Sequence, residues 1–211
     1  MKTPNIRDRL PRGFYDRSAE IVAQELLGKA LLRKNGNHWM GGWIVETEAY
    51  LSSDDPSSHS HRGPTQSNAS MFEHAGTLYV YPIHAKYCLN AVTEKKGKGS
   101  AVLIRAIEPV WGIERMIARR GLTDRRRLTR GPGMLCQALD VDRRMDGADL
   151  VGGSEITITT GHSSPEVSSS CRVGISRAQD LPLRFFIDSN WYVSGRSSDH
   201  RRRPCKPIPR S

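Results

Sequence analysis

Apolar and polar positions along the chain divide it into many short segments. Val22 and Leu26 fall four residues apart behind Ser18, a favoured N-cap type, and Gly28 follows, which predicts a helix over 18–27. Residues 29–34 and 38–48 read as strands around Asn35-Gly36, a hairpin signal. Further strands are predicted at 77–81, 100–107, 155–160, 172–174 and 183–187. Pro109 is placed to open a helix that runs to Arg120 before Gly121, and residues 133–139 predict a short helix. Residues 51–70 are polar and rich in Ser, Pro, His and Asp, so they form a long loop of the kind that often carries function. Strands outnumber helices and short turns join many of them. The pattern therefore predicts an α+β fold with a largely antiparallel sheet.

One strand carries the chemistry. Its apolar run, Gly42-Trp43-Ile44-Val45, ends in Glu46-Thr47-Glu48-Ala49-Tyr50. Residues two apart in a strand share a face, so Glu46, Glu48 and Tyr50 line one side at its end. Two partly desolvated carboxylates raise the pKa of one of them toward that of a working general base. Spacing leaves the two glutamates equivalent, and a plain surface pair is the competing reading. His59 and His61 make a His-x-His pair in the following loop, but no third and fourth ligand stands at metal-site spacing. His59 is better read as a hydrogen-bonding or stacking group, with no metal and no cofactor expected. Tyr79 and Tyr81 share a strand face, either in the core or as a stacking platform.

Charge narrows the partner. The 211 residues carry a formal net charge of +10. Half of that excess sits in residues 196–211, where Arg196, Arg201, Arg202, Arg203, Lys206 and Arg210 face Asp199 alone. A second basic run spans Arg119 to Arg130. Such a balance favours a polyanionic partner and salt-sensitive binding. No 18-residue apolar run and no signal-like N-terminus is present, so a cytoplasmic, non-membrane protein is expected. Cys88, Cys136, Cys171 and Cys205 form no Cys-x-x-Cys pair, and four reduced thiols are expected. Three divisions are predicted: an arm at 1–10, a main domain at 11–195, and a basic tail at 196–211 whose composition suits disorder.

Taken together, these motifs resemble the alkyladenine type of 3-methyladenine DNA glycosylase. The resemblance is carried by Val45-Glu46-Thr47-Glu48-Ala49-Tyr50, His59 and Gly76-Thr77-Leu78-Tyr79-Val80-Tyr81. It continues through Asn90, Leu103-Ile104-Arg105-Ala106-Ile107-Glu108-Pro109, the segment Gly131 to Leu139, Arg172-Val173-Gly174 and Pro182-Leu183-Arg184-Phe185. It covers about residues 11 to 194 and implies a single mixed domain around a curved antiparallel sheet. It also separates the two glutamates: Glu48 becomes the base that activates water and Glu46 a structural partner. Arg105 would hold the carboxylate and water, and Tyr50, His59 and Tyr81 would contact an extruded purine. Asn90 would select against the exocyclic amine of guanine.

The family places a tyrosine wedge on the hairpin after the Tyr-Val-Tyr strand, whereas here that segment is one residue shorter. Counting forward from Tyr81 puts His84 at the wedge, and counting back from Asn90 puts Ile83 there; His84 is preferred. The implied activity is monofunctional excision of alkylated or deaminated purines from double-stranded DNA by a monomer, within base excision repair. The 3-methyladenine, 7-methylguanine and hypoxanthine class is the implied substrate. The alternative is a basic nucleic-acid-binding module that keeps the pocket without the hydrolysis.

Overall fold

Ser18 caps its helix as the sequence predicts: its hydroxyl accepts the Ile21 N–H, and the helix (α2) spans Ala19–Glu25. A single turn, Arg12–Tyr15 (α1), precedes it. Gly28, at φ 79°, then turns the chain into the first hairpin. The computed structural model describes residues 6–161 and 165–195. The basic tail at 196–211, including Cys205, lies outside the described residues.

Among the described residues, eight strands form one curled, antiparallel half-barrel: β1 (Ala30–Asn35), β2 (His38–Tyr50), β3 (Leu78–Ile83), β4 (Lys86–Thr93), β5 (Ser100–Trp111), β6 (Ile156–Thr159), β7 (Val167–Ser170) and β8 (Arg184–Ile187). Their order is β3-β4-β5-β2-β1-β6, with β8 joining β2 and β7 joining β8. The α+β class and curved antiparallel sheet expected from the sequence are therefore observed. Helices α2, α3 (Ile113–Arg120) and α4 (Pro132–Leu139) cover one side, with α2 on β2 and β5, α4 on β4 and β5, and α3 against α4. Val22, Leu26, Ile44, Leu78, Ile104 and Leu135 belong to the main core between these layers.

Three expected elements are corrected, and one strand, β4, is found where none was expected. Asn35 pairs with His38, so the two-residue turn is Gly36-Asn37 rather than Asn35-Gly36, and Gly36 takes the positive φ of 59° that it requires. Pro109 opens no helix. It extends β5 opposite Gly42, beyond the point at which β4 stops pairing, and α3 starts after Gly112. Proline tolerates such a position because a strand without a neighbour on one side needs no N–H there. Residues 172–174 form a loop, and the Val173 N–H goes to a side chain rather than a ladder. Finally, β4 escaped the pattern because Cys88 to Thr93 are all buried, which removes the alternation that marks a half-exposed strand. Of the cysteines, Cys88 and Cys136 are buried free thiols, whereas Cys171 is disulfide-bonded against expectation.

The geometry of β2 matters most. Its first half pairs with β1 and its second half with β8 along the same edge, while β5 runs along the other. Near the changeover the β2–β5 register slips, and Val45 and Arg105 are the residues without a direct opposite. Such irregularities bend a strand and re-aim its side chains. A second slip falls at Gly41-Gly42, where neighbouring backbone leaves no room for a side chain: an added Cβ on Gly42 would meet the Glu108 carbonyl oxygen at 1.8 Å.

Candidate active site

Directly paired residues on neighbouring strands present their side chains to the same face. One such row crosses five strands: Tyr79 opposes Asn90, Asn90 opposes Leu103, Leu103 opposes Glu48, and Glu48 opposes Arg184. Residues two apart along the strands add Tyr81, Arg105, Glu46 and Tyr50 to that face. Sheet register thus gathers residues from positions 46 to 184.

Both glutamates are fully buried, and Arg105 bridges them. Its Nε donates to Glu46 Oε1 at 2.9 Å, and its Nη1 lies 3.2 Å from Glu48 Oε1. Glu46 also accepts from Arg184 Nε at 2.8 Å and from the Ser194 N–H at 2.7 Å and hydroxyl at 2.9 Å. Burial alone would push the Glu46 carboxyl up, but Arg105, Arg184 and the Ser194 N–H outweigh it and hold it below the ordinary carboxylate range. Glu46 is consumed by structure.

Glu48 is held differently. Oε1 accepts the Val173 N–H at 2.8 Å as well as Arg105, and Oε2 accepts the Tyr50 hydroxyl at 3.0 Å. A carboxylate oxygen carries two lone pairs. Among the described residues, one Oε2 lone pair is therefore left without a protein donor. Burial and then the Glu48 charge raise the Tyr50 phenol well above its ordinary value, so Tyr50 remains a donor. Burial tends to lower the Arg105 pKa, but Glu48 and Glu46 more than reverse this and keep it charged. A further buried pair, Arg172 and Asp55, completes a balanced set of three carboxylates and three guanidiniums.

The aromatic wall stands beside this cluster. His59 Nδ1 and the Tyr79 hydroxyl are 2.8 Å apart, and the His59 ring meets Tyr81 edge-on at 4.4 Å. Burial lowers the His59 pKa and favours a neutral imidazole. Burial likewise pushes the Tyr79 phenol up to about 12. The loop that carries His59 is pinned from beneath by Asn68, whose amide donates to the His59 carbonyl at 2.9 Å and the Gly63 carbonyl at 3.1 Å. Asn90 is buried and donates to the Tyr79 carbonyl at 3.0 Å, which fixes its amide at the wall.

Tyr50, His59, Met71, Tyr79, Tyr81 and Asn90 enclose a cavity of about 20 Å³. It shares His59, Tyr79 and Tyr81 with a cleft of about 920 Å³ that is also lined by Arg62, Arg143 and Arg177. Ile83 and His84 sit elsewhere, at the exposed tip of the β3–β4 hairpin. Ile83 ends β3 at 41% exposure, and His84 holds a φ of 51°. Among the described residues no group of three or more His, Cys, Asp or Glu is arranged for a metal ion, and no helix is long and apolar enough to cross a membrane.

Sequence reasoning assigned roles to Glu48, Tyr50, His59, Tyr81, Asn90 and Arg105, and the structure brings these six together. It missed Arg184 and Ser194 on Glu46, the Val173 N–H on Glu48, and the Asp55–Arg172 pair. Arg172, Val173 and Arg184 lay within motifs that carried the resemblance, which was a usable signal. Asp55, beside Asp54 in a polar loop, and Ser194, on a backbone contact, had none.

The family model described as methylpurine-DNA glycosylase matches residues 13–191. A Rhodopirellula baltica protein named "Putative 3-methyladenine DNA glycosylase" is 55% identical over 196 residues, covering 90% of this chain and 84% of that protein. Proteins of the same name from Carboxydothermus hydrogenoformans and Methanoculleus marisnigri are each 44% identical, across 88% and 89% of this chain and 98% and 99% of their own lengths. The chain belongs to the methylpurine-DNA glycosylase family, whose activity is that of a DNA glycosylase, a hydrolase of the N-glycosyl bonds of alkylated bases.

Proposed function

We propose that the protein rotates a damaged purine nucleotide out of double-stranded DNA and hydrolyses its N-glycosyl bond with water ordered by Glu48. The observation that carries this reading is the free Oε2 lone pair of a buried carboxylate whose other hydrogen-bonding positions are filled. Glu48 accepts a proton from water as the water oxygen bonds to C1′ of the sugar. The C1′–N9 bond breaks with its electron pair going to the purine. A purine alkylated at N3 or N7 starts cationic and leaves neutral, so little acid catalysis is needed. The Glu48 charge also stabilises the oxocarbenium character that builds on the sugar.

A base inside a duplex is out of reach, which is why enzymes of this class extrude it. The electron-rich faces of Tyr50 and Tyr81 favour a cationic purine by about 0.5–2 kcal/mol. A cavity of about 20 Å³ has room for roughly one water, so the rings part to admit the base. Asn90, immobilised on the Tyr79 carbonyl, is the filter against the guanine amine. His84, or Ile83 beside it, fills the gap in the duplex. Among the described residues no lysine lines either the cavity or the cleft, in keeping with base release without a Schiff base or strand cleavage. 3-Methyladenine, 7-methylguanine and hypoxanthine are the proposed lesions, a monomer the proposed working form, and the bacterial-type cytosol or nucleoid the proposed place of action.

The test is a duplex assay in the presence of chelator. Release of free 7-methylguanine or hypoxanthine with an intact abasic strand supports the proposal. Tight lesion binding without release would instead mark a non-catalytic binding module.

A further inference from the structure

We propose that Asp55 and Arg172 are positioning residues: their buried ion pair sets two of the three donors that hold the Glu48 carboxylate, the Tyr50 hydroxyl and the Val173 N–H. This rests on Glu48 being the base. Arg172 meets Asp55 end-on, with Nη1 to Oδ2 at 2.6 Å and Nη2 to Oδ1 at 2.7 Å, and neither side chain is exposed. A two-point fork fixes orientation as well as distance.

Together the two residues tie down both sides of Glu48. Arg172 Nη1 also donates to the Ala49 carbonyl at 3.0 Å, and its guanidinium carbon lies 4.7 Å from the centre of the Tyr50 ring. The pair thereby grips the backbone between Glu48 and Tyr50 together with the ring whose hydroxyl donates to Oε2. Asp55 accepts the Leu51 N–H and the Ser57 N–H, both at 3.1 Å, which folds the chain just after Tyr50 back toward the site. On the other side, Arg172 directly precedes Val173, whose N–H reaches Oε1. The loop at 171–174 belongs to no strand, so the guanidinium fork anchors it beside the carboxylate.

Among the described residues only one Glu48 lone pair lacks a protein donor and is left for a water, so a small rotation of the carboxylate misdirects the nucleophile. Displacements of about 1 Å in such an arrangement cost on the order of 100-fold in rate. Lysine in place of Arg172 keeps the charge but cannot make the fork, reach Ala49 and lie against Tyr50 at once.

The experiment measures single-turnover excision of hypoxanthine from a duplex, with enzyme in saturating excess, alongside binding to the same duplex. At saturation, partial unfolding lowers apparent affinity but not the rate of the bound complex. Arg172→Lys and Asp55→Asn are compared with wild type and with Glu48→Gln; Asp55→Asn keeps the volume and an acceptor should the lysine variant fail to fold. The expected result is a fall of about 10- to 100-fold in rate for either variant, with affinity within about threefold. A wild-type rate in the folded variants, or a loss confined to affinity, overturns the inference while leaving Glu48 as the base. An active Glu48→Gln enzyme would instead remove the reading beneath it.

Discussion

Arg105 Nε lies 2.9 Å from Glu46 Oε1, with the Glu46 side chain fully buried and that of Arg105 nearly so. With Arg184 on the same oxygen and Ser194 on both, this bond turns one of two adjacent glutamates into a fixed counter-charge. Arg105 can then extend its Nη1 to Glu48 without leaving itself unbalanced. Two carboxylates that are equivalent by spacing become unlike through their neighbours.

Replacing Glu46 with Gln should therefore destabilise the protein strongly. Removing one member of a buried ion pair costs about 3–5 kcal/mol, because its partner is left charged and unpaired. Chemical denaturation at pH 7 would measure it, and a loss under about 1 kcal/mol would contradict the arrangement. The same group sets an acid limit. Its folded pKa lies below the ordinary carboxylate value, so its stabilisation is present above that value and lost as pH falls through the folded one. Wild type should lose stability over that acid range, and the Gln variant should show a flatter dependence.

His59 gives the complementary signature. Burial lowers its pKa, so the unfolded chain takes up a proton near pH 6.5 where the folded protein does not. Stability should fall as pH drops from about 6.5 toward the folded value, and His59→Gln should remove that component. An NMR titration of His59 with its midpoint at or above 6.5 would refute it.

The helix at α2, the first hairpin and the face shared by Glu46, Glu48 and Tyr50 were legible because each rests on local chemistry: a cap, a turn and a period of two. The hidden elements rest on tertiary context. Strand β4 is buried on both faces and shows no alternation, and Pro109 is tolerated because β4 ends before it reaches that point. The roles of Asp55, Val173 and Ser194 depend on a loop, a backbone N–H and a distant contact that no periodicity reveals. The candidate site was thus readable in its strand residues and in His59, whereas its other loop contacts were not. The resemblance supplied what spacing could not, the choice between Glu46 and Glu48.

The hairpin tip separates flipping from chemistry. His84 sits at φ 51°, a conformation that costs an ordinary residue about 1–2 kcal/mol relative to glycine. His84→Gly should leave stability unchanged or higher. If His84 is the wedge, excision from duplex should fall about tenfold, equivalent to about 1.4 kcal/mol, while excision from single strands is unchanged. A duplex defect in Ile83→Ala but not in His84→Gly would move the wedge to Ile83.

The tail bears on general affinity. Deleting residues 196–211 removes six basic side chains and Asp199. Binding to damaged and undamaged duplex should weaken in parallel, and the slope of log affinity against log salt should shrink by about 0.9 for each phosphate that is no longer neutralised. A change in the ratio between damaged and undamaged DNA would show that the tail contributes to lesion selection.

Glu48→Gln tests the central claim most directly. The change keeps the side chain's volume and an oxygen acceptor but removes the charge that orders and deprotonates water. Single-turnover excision of 7-methylguanine and hypoxanthine, with chelator present, should fall by at least about 100-fold, while the duplex is still bound. Excision by the Gln variant at close to the wild-type rate would contradict the account.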